Sequence, residues 1–204
     1  RDGEWLARID GIGKSWASLS LERRLRDQQA LPDLWLIFAP VKKTRLDMIV
    51  EKATELGATV IQPVLTERTN VSQVRVPRLQ ATALEAAEQS ERLDVPEVRE
   101  PLKLADLLEG WHAGRPLLVC AEAGAAEPLG EVLTGLDKDA VPAFIVGPEG
   151  GFSARELETL ARCPFVRLVG LGPRVLRAET AALAALACWQ SVCGDWGDRP
   201  PHRA

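Results

Sequence analysis

The segment FIVGPEGGFS at 144–153 joins a short apolar run to the start of a helix. The run Ala143–Val146 predicts a buried strand, and Ser153 and Glu156 have the spacing of a capping box, so a helix begins at Ser153. Three glycines and a proline lie between them, which lets backbone amides approach a ligand closely. A merely tight strand-to-helix turn needs only one or two glycines, so we favour a ligand-binding loop over that alternative.

A second segment, LGPRVLRAETA at 171–181, has a similar arrangement. It follows the predicted strand Val166–Leu171 and leads into an alanine-rich helix, Glu179–Val192. Taken alone, its charged residues are explained equally well by helix capping and surface charge. Ligands of α/β sheets bind at the carboxyl ends of strands. Two such loops at successive strand ends therefore favour one shared site.

Outward from these loops, short apolar runs and amphipathic helices alternate along the chain. The predicted strands are Leu34–Pro40, Val60–Leu65, Leu117–Glu122, Ala143–Val146 and Val166–Leu171, and the predicted helices are Leu46–Leu56, Pro77–Glu91, one starting at Ser153, and Glu179–Val192. This alternation predicts an α/β fold with a largely parallel sheet that is covered on both faces.

The first 25 residues follow a different pattern, the alternation typical of strands, with Asp10-Gly11 as the expected turn. The charged segment Arg23–Pro32 ends in a proline and is expected to connect the two parts. We therefore predict the remnant of a small β-domain at 1–25, a linker at 26–33, and the main domain at 34–204. The chain starts at Arg1 with no signal-peptide pattern, and we expect that a further N-terminal segment precedes it.

Composition excludes several classes of protein. Of the 204 residues, 46% are apolar and 26% charged, as in ordinary globular proteins and unlike disordered chains. No apolar run approaches the ~20 residues of a membrane span. Four cysteines without a CxxC pair, and only two histidines, predict reduced cytosolic thiols and no metal site. Residues 1–45 carry nine Lys or Arg against six Asp or Glu, which indicates either a basic leading part or an ordinary solvated face.

Four blocks of sequence together resemble a known family. They are EKATELGATVIQPVLTERT at 51–69, AAEQSERLDVPEV at 86–98, GPEGGFS at 147–153 and LGPRVLRAETA at 171–181. In residues and order they are similar to the 16S ribosomal RNA uracil-N3 methyltransferases of the SPOUT class, over nearly the whole chain from about Leu34. The resemblance implies a SPOUT α/β knot, that is, a parallel sheet with a C-terminal trefoil knot, preceded by a PUA-like β-barrel that is incomplete here.

The resemblance also implies a cofactor, S-adenosylmethionine, bound by three loops at strand ends. The implied cofactor-binding residues are Glu122, Gly147, Pro148, Glu149, Gly150, Gly151, Leu171, Gly172, Val175, Leu176 and Ala181. The apolar members of this set suit an adenine slot, and either glutamate suits the ribose hydroxyls or the sulfonium charge. For Glu122, capping or plain surface exposure explains the residue equally well.

The implied reaction is methyl transfer to N3 of a uridine, whose imide proton must leave. The chain has no tyrosine, and His112 lies in a loop setting away from the glycine loops, so no obvious neutral-pH base is present. Arg177 and Arg174 are expected to stabilise the developing anion, with Glu179 as a base or as the group that orients an arginine. The expected RNA-binding residues are Arg68, Arg92, Lys42, Lys43 and Arg45. For Arg68 and Arg92 a structural salt bridge is an open alternative.

The implied partners are 16S ribosomal RNA or the small ribosomal subunit, in the cytoplasm, and a second copy of the chain. Val192, Trp196 and Trp189 are candidates for a homodimer interface, although Trp189 is also expected in an ordinary core. Two other functions stay open: a non-enzymatic RNA-binding or ribosome-assembly module on the same fold, and an α/β enzyme that binds a phosphorylated small molecule. Binding of S-adenosylhomocysteine distinguishes the first of these from a methyltransferase.

Overall fold

A computed structural model describes residues 2–28, 31–71, 73–122, 126–137 and 140–198, apart from the side chain of Lys43. An antiparallel hairpin comes first, formed by β1 (Glu4–Ile12) and β2 (Ala17–Arg26). The other strands are β3 (Trp35–Phe38), β4 (Val60–Leu65), β5 (Glu97–Val98), β6 (Leu102–Lys103), β7 (Leu117–Cys120), β8 (Glu127–Pro128), β9 (Ala143–Val146) and β10 (Val166–Gly170). The helices are α1 (Lys43–Glu55), α2 (Val76–Gln89), α3 (Leu104–Glu109), α4 (Leu129–Thr134), α5 (Ala154–Ala161) and α6 (Ala178–Val192), with a 3-10 turn at Asp195–Gly197.

The sheet of the main part runs in the order β5, β4, β3, β9, β7, β10, β8, and β6 also pairs with β4. Every pairing in it is parallel. The central strands are in register over their full length, with Trp35 opposite Ala143 and Leu117 also opposite Ala143. The predicted α/β fold with a parallel sheet is confirmed. The adjacent carboxyl ends of β9, β7 and β10 bring three loops to one place.

Helices cover both faces of this sheet. On one face α1, α4 and α6 bury a continuous apolar core around Leu36, Phe144 and Leu186, and α2 packs against α1. On the other face α3 and α5 close a second cluster around Ile37, Ile145 and Leu160. Near-continuous apolar strands are required for this arrangement, because each strand is buried on both sides.

The hairpin departs from the sequence prediction at its turn. Asp10-Gly11 lies inside β1, where the register shifts between Ile9 and Gly11, and the chain reverses later, with Gly13 N–H donating to the Trp16 carbonyl at 2.8 Å. The predicted turn at Asp10-Gly11 is therefore wrong, because a bulge absorbs the glycine within the strand. Strand β2 continues through Arg23–Arg26, so the charged segment starts as strand rather than linker. Residues 29 and 30 of the predicted linker lie outside the described residues.

Short elements account for the other differences from the sequence prediction. The helices α3 and α4 have six residues each and the strands β5, β6 and β8 two each, and the sequence pattern predicts none of them. Fewer than two helical turns show no recognisable period.

Within the described residues, no helix is both long enough and apolar enough to cross a bilayer. The same residues contain no cluster of three or more His, Cys, Asp or Glu suited to a metal ion.

Candidate active site

A cavity of about 450 Å³ lies where β7, β9 and β10 end. Three segments line it: residues 120–122 at the end of β7, residues 147–152 after β9, and residues 171–177 between β10 and α6. The volume falls within the range of about 300–1,000 Å³ that is typical of small-molecule sites. The carboxyl edge of a parallel sheet is also where such sites occur. This cavity is the candidate site.

The loop after β9, residues 147–151, is shaped by packing as well as by backbone conformation. A Cβ on Gly147 would meet the buried Phe152 ring at 3.1 Å, so a larger residue there would press against this ring. Gly151 has a φ of +66° and its N–H donates to the Pro148 carbonyl at 2.8 Å, which closes a tight turn. At Gly150 a Cβ would meet only the Arg68 side chain, at 3.5 Å or more. Internal packing therefore does not require glycine at this position, and Gly150 is exposed where it lines the cavity.

The start of α5 fixes the far end of this loop. Ser153 Oγ accepts from the Glu156 N–H at 3.1 Å, and the Glu156 carboxylate accepts from the Ser153 N–H at 2.8 Å, so the predicted capping box is confirmed. The other Glu156 oxygen accepts from the Glu67 N–H at 2.8 Å. One buried carboxylate thus joins α5 to the loop after β4. Sequence spacing indicates the cap but carries no sign of this second contact.

Arg68 lies in that same loop, and its guanidinium donates to the Gly150 carbonyl at 2.7 Å. Thr66 and Thr69 brace the turn, with the Thr66 N–H donating to Thr69 Oγ1 at 2.9 Å. Arg68, expected among the RNA-binding residues, therefore lines the cavity and contacts the glycine loop. Within the described residues it forms no salt bridge, and its structural contact is the hydrogen bond to Gly150.

The loop between β10 and α6 carries two exposed arginines. Gly172 has a φ of +93°, which favours glycine, and Leu171 and Leu176 turn half-buried apolar surface to the cavity. Arg174 and Arg177 line the cavity, and neither side chain makes an ion pair or hydrogen bond with another described residue. Both guanidinium groups are therefore available to an anionic ligand.

The loop after β7 supplies a thiol and a carboxylate. Cys120 is at the strand end, and burial raises the pKa of its thiol to about 12. The thiol is therefore protonated at neutral pH and serves as apolar lining rather than as a nucleophile. Glu122 is exposed, and its carboxylate lies 4.0 Å from the position that a Cβ on Gly151 would take. The loops after β7 and β9 therefore face each other across the cavity.

The structure brings together all the residues expected to bind the cofactor. Lining the cavity are Glu122, Gly147, Pro148, Glu149, Gly150, Gly151, Leu171, Gly172, Val175, Leu176 and Ala181. Glu179 does not line it but is next to Ala178, which does. His112 lines a separate cavity of about 190 Å³ with Trp35 and Arg115, away from the glycine loop as expected.

Glu179 is buried, with 8% of its surface exposed, and lies in the first turn of α6. Its Oε1 is 3.4 Å from Arg45 Nε, and Arg45 Nη1 is 3.7 Å from Glu149 Oε1. Arg45, expected to bind RNA, pairs with two carboxylates of the site. The arginine that contacts Glu179 is Arg45 rather than Arg174 or Arg177.

Arg92 is the expected RNA-binding residue that the structure separates from the site. Its side chain is only 9% exposed, donates to the Thr54 carbonyl, and pairs with Asp94 at 2.8 Å. The structural salt bridge, the alternative that the sequence left open, is what the structure has. Of the remaining expected cations, Lys42 is exposed at the start of α1 and the side chain of Lys43 is outside the described residues.

Comparison with known proteins agrees with this geometry. A family model for the RNA methyltransferase domain matches residues 28–190, which include every strand of the sheet and all three loops. The chain belongs to this family. It is 36% identical to the ribosomal RNA small subunit methyltransferase E of Rickettsia conorii over 91% of this chain and 75% of that protein.

Solved structures of relatives extend the comparison. The ribosomal RNA small subunit methyltransferase E of Neisseria gonorrhoeae, solved with S-adenosyl methionine bound, superposes with a TM-score of 0.83 at 30% identity, covering 96% of this chain and 86% of that one. The TrmH/SpoU tRNA modifying enzyme of Aquifex aeolicus shares the fold at a TM-score of 0.53 and 16% identity, covering 81% and 78%. At this low identity, the second likeness shows a shared fold alone.

Proposed function

We propose that this chain uses S-adenosylmethionine to methylate N3 of a specific uridine in 16S ribosomal RNA. The observation that carries the proposal is the three-loop cavity at the carboxyl edge of β7, β9 and β10, in a chain whose relatives include ribosomal RNA small subunit methyltransferases E. A member of that group has been solved with S-adenosyl methionine bound. The coarser activity, RNA methylation, follows from family membership.

The lining of the cavity fits this cofactor chemically. Leu171, Leu176 and Val146 offer an apolar slot for adenine, and backbone groups of both glycine-containing loops offer partners for its polar edge. Glu122 and Glu149 are exposed carboxylates beside this slot, suited to ribose hydroxyls or to a sulfonium charge. When bound, S-adenosylmethionine supplies an electrophilic methyl group.

The chain's own residues act on the nucleotide. Uracil N3 carries an imide proton and becomes anionic as that proton leaves. We assign the stabilisation of this charge to Arg177 and Arg174, whose guanidinium groups have no other partner among the described residues. The proton leaves to water or to Glu179, a buried carboxylate next to the cavity-lining Ala178. Arg68, Lys42 and Lys43 are assigned to RNA phosphates; Arg92 is not, because its charge is already paired.

The domain plan extends the proposal to RNA docking. We assign residues 1–25 to a PUA-like barrel and 34–204 to a SPOUT domain with a C-terminal trefoil knot. The hairpin exposes many large apolar side chains, a surface that further barrel strands would cover: Trp5, Leu6, Ile9, Ile12, Trp16, Leu19, Leu21 and Leu25. The knot is proposed on the family resemblance, and β9 and β10 lie on either side of β7 in the sheet.

A homodimer in the cytoplasm, where ribosomes are assembled, completes the proposal. Val192 at the end of α6 and Trp196 in the following 3-10 turn are 44% and 55% exposed, which suits an interface. Trp189 is only 2% exposed and belongs to the core, as the alternative interpretation expected. Light scattering of the purified chain, with Trp196→Ser as comparison, measures the dimer.

Methyl transfer tests the proposed activity. The chain is incubated with labelled S-adenosylmethionine and either naked 16S ribosomal RNA or assembled small subunits, and the RNA is digested to nucleosides for mass spectrometry. The proposal expects label in 3-methyluridine at a single site. Label in another nucleoside would overturn the N3 assignment, and binding of RNA without any label would favour a non-enzymatic module.

A further inference from the structure

Arg45 occupies a position that connects three elements around the cavity. It lies in the first turn of α1, with Glu179 of α6 at 3.4 Å on one side and Glu149 of the glycine loop at 3.7 Å on the other. The side chains of Arg45 and Glu149 are 35% and 41% exposed, whereas that of Glu179 is only 11% exposed. One guanidinium therefore ties a buried carboxylate to the loop that forms the cavity.

The buried carboxylate depends on this contact. Glu179 Oε2 is buried and has no hydrogen-bond partner among the described residues. A buried carboxylate is costly unless a cation or hydrogen bonds compensate it. The amino end of α6 contributes favourable peptide dipoles, and Arg45 is the cation in contact with Oε1. Oε1 is thus held, while Oε2 keeps unused capacity to accept a hydrogen bond.

We propose that Arg45 is a positioning residue for the methyl-transfer reaction. It holds the Glu179 carboxylate at the start of α6 through Oε1, and through Glu149 it fixes this end of α6 against the glycine loop. This inference rests on the proposed function, because a positioning role requires that the chain transfers a methyl group. It assigns Arg45 to the turnover step and not to RNA phosphates.

A double-mutant cycle tests this role. Arg45→Gln and Glu179→Gln are made singly and together, and the methyl-transfer rate is measured at saturating RNA and cofactor. Each single change should lower the rate about tenfold or more, and the double variant should be little worse than either, because groups that act as a unit are not additive. Arg45→Lys keeps the charge and should recover part of the rate. The matched control is Arg78→Gln, which removes an exposed pair with Asp47 of α1 and should leave the rate unchanged.

RNA binding separates this positioning role from a role in holding phosphates. For a positioning residue, RNA affinity and its salt dependence stay unchanged in Arg45→Gln. Loss of RNA affinity with a shallower salt dependence, combined with additive rates in the cycle, would overturn the proposal. If the wild-type chain transfers no methyl group, the proposed function fails separately. In that case, the free energy of unfolding and the affinity for S-adenosylhomocysteine are measured for the same single and double variants. Additive effects of the two changes on both quantities would show that Arg45 and Glu179 do not act together.

Discussion

Arg177 and Arg174 are the cavity-lining cations whose side chains have neither an ion pair nor a hydrogen bond within the described structure. Arg177 caps α6, with its carbonyl accepting from the Ala181 N–H at 2.8 Å, so its backbone position is fixed while its side chain is exposed. A planar guanidinium spreads charge over donors that match a developing anion, and an ammonium does not reproduce that geometry.

Arg177→Lys should therefore lower turnover by roughly 10²–10³, the loss typical for one oxyanion stabiliser. Cofactor affinity should stay nearly unchanged, because the charge at the cavity mouth is retained. Rates at saturating substrate, with calorimetric titration of S-adenosylhomocysteine alongside, measure both. Arg162→Lys, at an exposed position after α5, is the matched control. The opposite result would be a nearly normal methyl-transfer rate in Arg177→Lys and no activity at any pH in Glu179→Gln. It would show that the carboxylate is the essential group.

Cys120 links the site to the pH dependence of stability. Burial raises the pKa of its thiol to about 12 from an ordinary value of 9.0. As the pH rises past 9, the unfolded chain releases this proton while the folded chain keeps it, so the free energy of unfolding falls. Between pH 8 and pH 10 the wild-type chain should lose about 1.4 kcal/mol more than Cys120→Ala. Urea denaturation of both chains at both pH values measures the free energy of unfolding. Equal losses in the wild-type chain and in Cys120→Ala would contradict the burial of this thiol.

At the scale of single elements, Glu156 in the first turn of α5 makes a second contact besides the helix cap. Glu156 accepts from the Ser153 N–H and from the Glu67 N–H, each at 2.8 Å, and is 7% exposed. The first contact is local and its spacing is visible in the sequence. The second joins residues 89 positions apart, and no periodicity encodes such a pair. The cap was therefore predictable, and the attachment of the Arg68 loop was not.

Glu156→Gln should lower the free energy of unfolding by about 1–3 kcal/mol, because an amide has only one acceptor oxygen for the N–H groups of Ser153 and Glu67. S-adenosylhomocysteine affinity should fall with it, since the loop that carries Arg68 is released from the glycine loop. Glu158→Gln, on the exposed side of the same helix, should stay within about 0.5 kcal/mol of wild type. Chemical denaturation and calorimetry of both variants measure these effects, and equal stability of the two would contradict the double role of Glu156.

Element boundaries show how far periodicity reaches. The strands at 60–65 and 143–146 have the bounds that their apolar runs predict, and the helix predicted to end before Gly57 does so, with Gly57 at a φ of +86°. The bulge at Gly11 and the six-residue helices were not predictable in this way. A glycine beside an aspartate has the same local signature in a turn and in a bulge, and only strand pairing distinguishes them.

Across the whole molecule, the partners of the charged side chains could not be predicted from composition alone. Among the cations expected to bind RNA, Arg92 and Arg45 are paired with carboxylates, and Arg68 contacts the cavity. The loops at 147–153 and 171–181 were predictable because they follow strand ends, and the individual cofactor-binding residues came from the family resemblance. Their internal partners were not, because those pairs depend on how α1, α2 and α6 pack.

The prediction at this scale is that the β1–β2 hairpin contributes to RNA binding. Lys14 and Arg23 are exposed on it, and neither forms an ion pair with another described residue. If the hairpin docks RNA, Lys14→Gln with Arg23→Gln should reduce the slope of log affinity against log salt by about 0.7–0.9 for each RNA phosphate that is no longer neutralised. Cofactor affinity should be unchanged. Filter binding at several salt concentrations measures the slope, Arg162→Gln is the control, and an unchanged slope would remove the hairpin from the RNA surface.

Calorimetric titration of the chain with S-adenosylhomocysteine bears most directly on the proposed function. We predict one binding event per chain for the wild type, which inorganic phosphate does not displace. Gly150→Val should give no heat while melting at the wild-type temperature, because a Cβ there meets only the Arg68 side chain and the ligand must approach this backbone. No heat with the wild type, displacement by phosphate, or unchanged affinity in a folded Gly150→Val would contradict a cofactor site in the three-loop cavity.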